Sequence, residues 1–206
     1  MSTRTRHALA RPLAPCVAAA VVLLAGACNV QPTASGPDLA QQRYTEALAL
    51  IEDAQSLADR GKTEQAIEKY QLAIGANPRI ATAWHNLGVL LMGGGSYADA
   101  VSAFERASEL DPADPRPLYN AGVVYQSQGW ARDALSRFEL ALDRDPTYLP
   151  ALRGAVQAAE SLQISDAQTI DRIKRATLAE SDETWRAYFQ RQRFRVEAGL
   201  SASREH

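Results

Sequence analysis

From Leu39 onward, apolar residues recur every third or fourth position, in blocks broken alternately by glycine and by proline. That spacing places them on one face of a helix. Blocks end at Gly61, Gly95 and Gly129, where the chain must turn and glycine accepts a left-handed backbone. The following blocks end at Pro78, Pro112 and Pro146, which cannot continue a helix. The pattern predicts a long first helix over 38–60, opened by Asp38, with Leu39, Tyr44, Leu48, Ile51 and Leu57 on or near one face. Second helices restart at Thr63, Ser96 and Trp130, with Ser96 and Asp99 spaced as a capping box. Residues 149–162 read as a further first helix. Ser165-Asp166-Ala167-Gln168 then caps a partner that runs to about Ala179. A last helix from Ser181 has Trp185, Tyr188, Phe189, Gln192 and Val196 on its apolar side.

The blocks are copies of one another. Residues 81–114 align with 115–148 without a gap, at an offset of 34. Asn86 falls on Asn120, Gly88 on Gly122, Ala100 on Ala134, Phe104 on Phe138 and Ala107 on Ala141. One offset earlier stand Ala54, Gly61, Ala66, Tyr70, Ala73 and Pro78. Small residues at Ala54, Gly88 and Gly122 are expected to face Ala66, Ala100 and Ala134, letting paired helices approach. Tyr70, Phe104 and Phe138 are expected to fill the layer toward the next pair.

These positions resemble the tetratricopeptide repeat. Trp84, Leu87, Gly88, Ala100, Phe104, Ala107 and Pro112 carry its pattern in one copy. Gly122, Tyr125, Ala134, Phe138, Ala141 and Pro146 carry it in the next. The first copy departs, with Leu50, Ala54 and Leu57 in place of Trp, Gly and Tyr, as a terminal repeat lacking a neighbour does. The resemblance covers about residues 47–148. It implies an all-α solenoid of antiparallel helix pairs, set at 38–164, with capping helices at 165–199 and a disordered tail at 200–206.

The N-terminus follows a different pattern. Arg4, Arg6 and Arg11 precede a charge-free run from Leu13 to Ala27, too short for a comfortable membrane span. Ala25-Gly26-Ala27 leads into Cys28. The stretch resembles a bacterial lipoprotein signal, with Ala25 where Leu is usual and Leu24 one step earlier. That resemblance implies removal of residues 1–27 and acylation of Cys28, by a thioether-linked diacylglyceryl group and an acyl chain such as palmitate on the new amine. Ordinary signal cleavage and an uncleaved anchor remain the alternatives. The only other cysteine, Cys16, lies in the removed segment, so no intramolecular disulfide forms. Asn29 favours the periplasmic side of the outer membrane over the inner membrane. Residues 28–37, with Pro32 and Pro37, read as a flexible tether.

Formal net charge is −2, unevenly spread. Residues 1–27 carry +3, residues 28–169 carry −7 and residues 170–206 carry +2. An acidic body repels nucleic acid. The chain has three histidines and no Cys-x-x-Cys, His-Glu-x-x-His or phosphate-loop motif. Gly93-Gly94-Gly95 reads as an inter-helix turn. An enzyme, a cofactor, a metal and a small-molecule substrate are therefore not expected; the expected partners are another protein and, through the lipid, a membrane.

The resemblance implies a groove lined by first helices at repeat positions 2, 5, 6, 9 and 12. These are Thr82, His85, Asn86, Val89 and Met92, then Arg116, Tyr119, Asn120, Val123 and Gln126. Ile51, Glu52 and Gln55 extend it at one end, and Arg153 and Gln157 at the other. Asn amides can pair with a peptide backbone, and Val89, Met92, Tyr119 and Val123 can anchor apolar side chains. Some relatives grip a C-terminal carboxylate with two basic residues and flanking Asn. Here Ile51 and Asn120 occupy two of the basic places, which disfavours that mode and leaves an extended or helical peptide segment. The expected function is a non-catalytic, envelope-anchored adaptor, with a structural, self-associating protein as the alternative. The last helix, with Arg186, Arg191, Arg193 and Arg195 among aromatics, is expected to cap the solenoid; contact with a membrane or partner is its alternative.

Overall fold

The computed structural model describes residues 36–202, and these are helical apart from their turns. The described helices are α1 (Gly36–Asp59), α2 (Thr63–Ala76), α3 (Ala81–Gly93), α4 (Tyr97–Leu110), α5 (Arg116–Ser127), α6 (Ala131–Arg144), α7 (Leu149–Ser161), α8 (Ala167–Ala179) and α9 (Glu183–Ala202). They pack as successive antiparallel pairs, each second helix also meeting the next first helix. This is the all-α tetratricopeptide-type solenoid that the period implied. No described helix is long and apolar enough to cross a membrane. The signal, Cys28 and the tether before Gly36 lie outside the described residues. Residues 200–202, expected in a disordered tail, belong to α9 instead.

One turn geometry repeats along the stack. Gly61, Gly95 and Gly129 sit at φ +72°, +81° and +76°. In each turn the next amide donates back to a carbonyl five residues earlier: Lys62 to Leu57 (2.9 Å), Ser96 to Leu91 (2.9 Å) and Trp130 to Tyr125 (3.0 Å). This is the left-handed helix stop that glycine favours. The fourth turn has the same bond, Ile164 to Ala159 (2.9 Å), but Gln163 stands in the glycine place at φ 56°. The period thus outlasts the sequence motif. Ser96 and Trp130 are cap residues just outside their helices, and Ser96 makes no side-chain cap bond. The expected Ser96–Asp99 box is absent because Ser96, at ψ 65°, is held by the turn rather than in the extended cap conformation. Asp166 does cap α8, accepting from the Thr169 amide at 2.7 Å.

The core runs as a stripe of alanines, with one buried ring in each of the first three pairs and Arg172 at that place in the fourth. Ala54, Ala66, Ala100, Ala134, Phe104 and Phe138 are fully buried, and Tyr70 nearly so. The small residues Gly88 and Gly122 of the first helices abut the rings. A Cβ on Gly88 would lie 2.7 Å from Phe104, and one on Gly122 would lie 2.6 Å from Phe138. Phe138 also closes on Gly154 of the next pair, again at 2.6 Å, so the knob does reach across the layer. On α1, Leu39, Tyr44 and Leu48 of the expected apolar face are exposed, whereas Ile51 and Leu57 are partly buried. α2 is the main neighbour of α1, with Ala47 and Ala54 buried, and α3 meets α1 around Ala54 and Gln55.

Candidate functional site

First helices of successive pairs touch one another, α3 with α5 and α5 with α7, more closely than second helices do. Their shared face is therefore the inner one. The second helices are joined by longer reach, through ion pairs from Glu105 to Arg137 (2.7 Å) and from Glu139 to Arg172.

On the inner face the expected residues divide by what already holds them. Asn86 Nδ2 donates to the Tyr70 hydroxyl at 3.2 Å, and that hydroxyl donates to Gln55 Oε1 at 3.2 Å. Gln55 also donates to Asp59 at 2.9 Å. These two amides serve the seam between pairs. Asn120 occupies the same place one period later, yet its side chain forms no hydrogen bond among the described residues. Two replacements make the difference. Tyr70 supplies a hydroxyl to Asn86, whereas Phe104 has none for Asn120, and Gln55, whose Oε1 also accepts from Asn86 at 3.5 Å, is replaced by Val89 one period later. At the next period the place is Gly154, packed on Phe138.

Two basic residues of the expected groove are likewise committed. Arg116 makes a bidentate pair with Asp114, with contacts of 2.8 to 3.0 Å. Burial opposes ionisation of Asp114, but the Arg116 side chain and amide outweigh it and hold the carboxyl below its ordinary range. Arg153 donates twice to Glu180, at 2.8 and 2.6 Å, and lies 4.7 Å over the Trp185 ring. The Glu180 side chain is only 1% exposed. Burial works against its charge, yet the Asp182 amide and Arg153 prevail and keep its carboxyl depressed. Arg153 is thus a latch between α7 and the α8–α9 corner rather than a free groove cation.

The aromatic positions are also partly structural. Tyr119 packs against Phe138 (5.8 Å) and edge-on to Tyr148 (5.6 Å), so truncating it would loosen the core as well as the groove. His85, its counterpart, lies 5.8 Å from Phe104 beside a cavity of about 90 Å3 shared with Thr82, Asp114 and Arg116. Its Nδ1 is buried without a partner. Burial, aided by the Arg116 charge and opposed by Asp114, pushes the imidazole below its ordinary pKa, so it is neutral near pH 7. Gln126 reaches Gln157 at 3.5 Å. Exposed surface remains at Thr82 and Val89, and partial exposure at Ile51, Met92, Val123 and Asn120. Among the described residues no cluster of His, Cys, Asp or Glu is placed to hold a metal.

Two features escape the sequence pattern. A largely apolar cavity of about 420 Å3 opens beside the α5–α6 turn, walled by Tyr97, Val101, Tyr125 and Trp130. Trp130 is 58% exposed and stacks on Tyr125. Its signal was a large aromatic at a turn position held elsewhere by Lys62 and Ser96. In addition, α9 begins 34 residues after α7, at Glu183 against Leu149. It is a fifth first helix, and Gln157, Thr184, Trp185, Tyr188 and Arg191 line a cavity of about 230 Å3 at that end of the inner face.

Comparison with known proteins agrees with this geometry. Residues 51–115 match the family model of the tetratricopeptide repeat. No curated protein matches the chain. Among solved structures, the chain resembles the MamA protein, at 22% identity and a TM-score of 0.59, over 70% of this chain and 78% of that one. MamA 41-end from Desulfovibrio magneticus RS-1 matches at 17% identity and 0.58, over 71% and 82%. The first TPR of Spaghetti (RPAP3), bound to the HSP90 peptide SRMEEVD, matches at 20% identity and 0.56, over 59% and 96%. At these identities the likeness is one of fold.

Proposed function

We propose that the inner face is a docking groove for a segment of another polypeptide, and that acylated Cys28 holds this scaffold at the cell envelope. The observation that carries the groove is Asn120: a partly exposed amide with no partner among the described residues, on the face that also presents Val89, Met92 and Val123. Such an amide can donate and accept at once, which suits a peptide backbone. The apolar neighbours supply burial, and the bound segment adopts an extended or helical form. The structure bound to a peptide among the similar folds supports the reading by analogy. The role is non-catalytic. The anchor would raise the local concentration of scaffold near its partner without adding any contact. The lipid, the signal in residues 1–27 and the periplasmic side of the outer membrane belong to this proposal, on the strength of the Ala25-Gly26-Ala27-Cys28 stretch and Asn29.

Crosslinking in native envelopes tests the groove. Val89→Asp with Asn120→Ala should remove a crosslinked species that the parent chain forms, with an unchanged melting temperature. Retention of that species would place docking elsewhere, and a crosslinked partner that proves to be the chain itself would make the protein self-associating. Mass spectrometry of the N-terminal peptide tests the anchor: Cys28 carrying a diacylglyceryl thioether and an acyl chain on its amine is expected, and an unmodified thiol would refute it.

A further inference from the structure

The C-terminal helix does more than close the stack. We infer that α9 supplies a cationic, aromatic subsite at one end of the groove, and that it receives an acidic side chain flanking an apolar anchor in the docked segment. This rests on the groove reading and gives it a chemical direction.

The register is the first argument. Because α9 starts one period after α7, its face continues the inner face. The cavity of about 230 Å3 confirms that continuity, since Gln157 of α7 and Tyr188 and Arg191 of α9 share its wall. The second argument is preorganisation. Trp185 is held edge-to-face against Tyr188 (5.5 Å), and its ring is covered by the Arg153 guanidinium at 4.7 Å. Arg153 is fixed in turn by Glu180. Tyr188 donates its hydroxyl to Glu160 at 2.7 Å. The aromatic wall therefore needs little ordering when a ligand arrives, which lowers the entropic cost of binding.

The third argument is charge. Glu180, Glu197 and Glu160 hold Arg153, Arg193 and Tyr188 respectively, whereas Arg191 forms no ion pair or hydrogen bond among the described residues. It stands exposed at the cavity rim, with Phe194 three residues on and 73% exposed. A guanidinium beside apolar rings suits a carboxylate next to an aromatic or aliphatic side chain. Residues 28–169 carry −7 and residues 170–206 carry +2. An acidic stretch is thus repelled along the body and drawn to α9, which fixes the direction in which the segment lies.

Fluorescence anisotropy with the full-length protein in neutral detergent tests this. The probes are a labelled peptide with Glu-Phe-Glu at its centre and its Lys-Phe-Lys counterpart. The Glu peptide should bind more tightly. Arg191→Glu should weaken it by about tenfold or more and strengthen the Lys peptide. Arg193→Glu, on a residue already paired with Glu197, should change either by less than about twofold. Equal binding of the two peptides, no binding of either, or equal effects of the two substitutions would overturn the subsite. So would displacement of the Glu peptide by soluble dihexanoyl phosphatidylglycerol but not by its choline analogue, which would make the helix a lipid contact. The envelope crosslink that depends on Val89 and Asn120 does not involve Arg191, so its survival would separate failure of the subsite from failure of the groove.

Discussion

Gly154 meets the ring of Phe138 so closely that a Cβ on it would lie 2.6 Å from Cζ, with two further ring carbons within 2.8 Å. Phe138 is fully buried and pressed by Gly122 from its own pair, so it has nowhere to retreat. Gly154→Ala should therefore destabilise the chain by about 1–3 kcal/mol, although alanine is the better helix former. A drop in thermal midpoint checks this. A rise would mean that the ring yields and that α6 and α7 are less tightly stacked.

Gln163 bears a left-handed backbone that its three counterparts assign to glycine. Gln163→Gly should stabilise the fold by about 1 kcal/mol, because relief of that strain exceeds the added freedom of the unfolded chain. Urea unfolding would show it as a higher midpoint with unchanged slope.

Arg153→Met should cost about 2–3 kcal/mol, less than breaking a fully buried pair does, since Arg153 remains 31% exposed. The loss should be specific to pH. The Glu180 carboxyl titrates lower in the folded chain than in the unfolded one, so its contribution is full above the unfolded value and disappears as pH falls through the folded one. Parent and variant stabilities should accordingly converge in acid. A constant gap across the titration would assign the effect to lost packing on Trp185.

His85 gives the opposite kind of group with the same direction of loss. Its folded pKa is lowered, so the unfolded chain binds the proton more readily, and stability falls as pH drops through the ordinary histidine value toward the folded one. His85→Gln should reduce the fall in melting temperature between about pH 7.5 and about pH 5.5. An equal fall in both proteins would show that another group controls that range.

The period of 34 made the helix pairs, their turns and the buried rings legible, because glycine, alanine and proline mark positions where backbone geometry leaves few choices. The groove was legible as a face but not as a set of available groups. Asn86 and Asn120 look equivalent in sequence, but the Tyr70 hydroxyl and the Gln55 amide, replaced one period later by Phe104 and Val89, separate the bonded amide from the one with no partner among the described residues. Arg116 and Arg153 read as groove cations because ion pairing to Asp114 and Glu180 depends on turns and corners that periodicity does not describe. The role of α9 was hidden for a related reason. Its buried face of Phe189, Gln192 and Val196 was legible, but its side chains had lost the repeat pattern, so its start one period after α7 was not legible.

Among the described residues no second helix packs behind α9, the fifth first helix. In stacked repeats each element is protected by its neighbours alone, so a helix with a neighbour on one side is guarded on that side only. Amide hydrogen exchange should therefore be fastest at this end of the described stack and slowest around α5 and α6, so that α9 can part from the body without unfolding it. A segment gripped between α7 and α9 would slow that parting, making retention of a bound chain and local cohesion of the solenoid a single equilibrium.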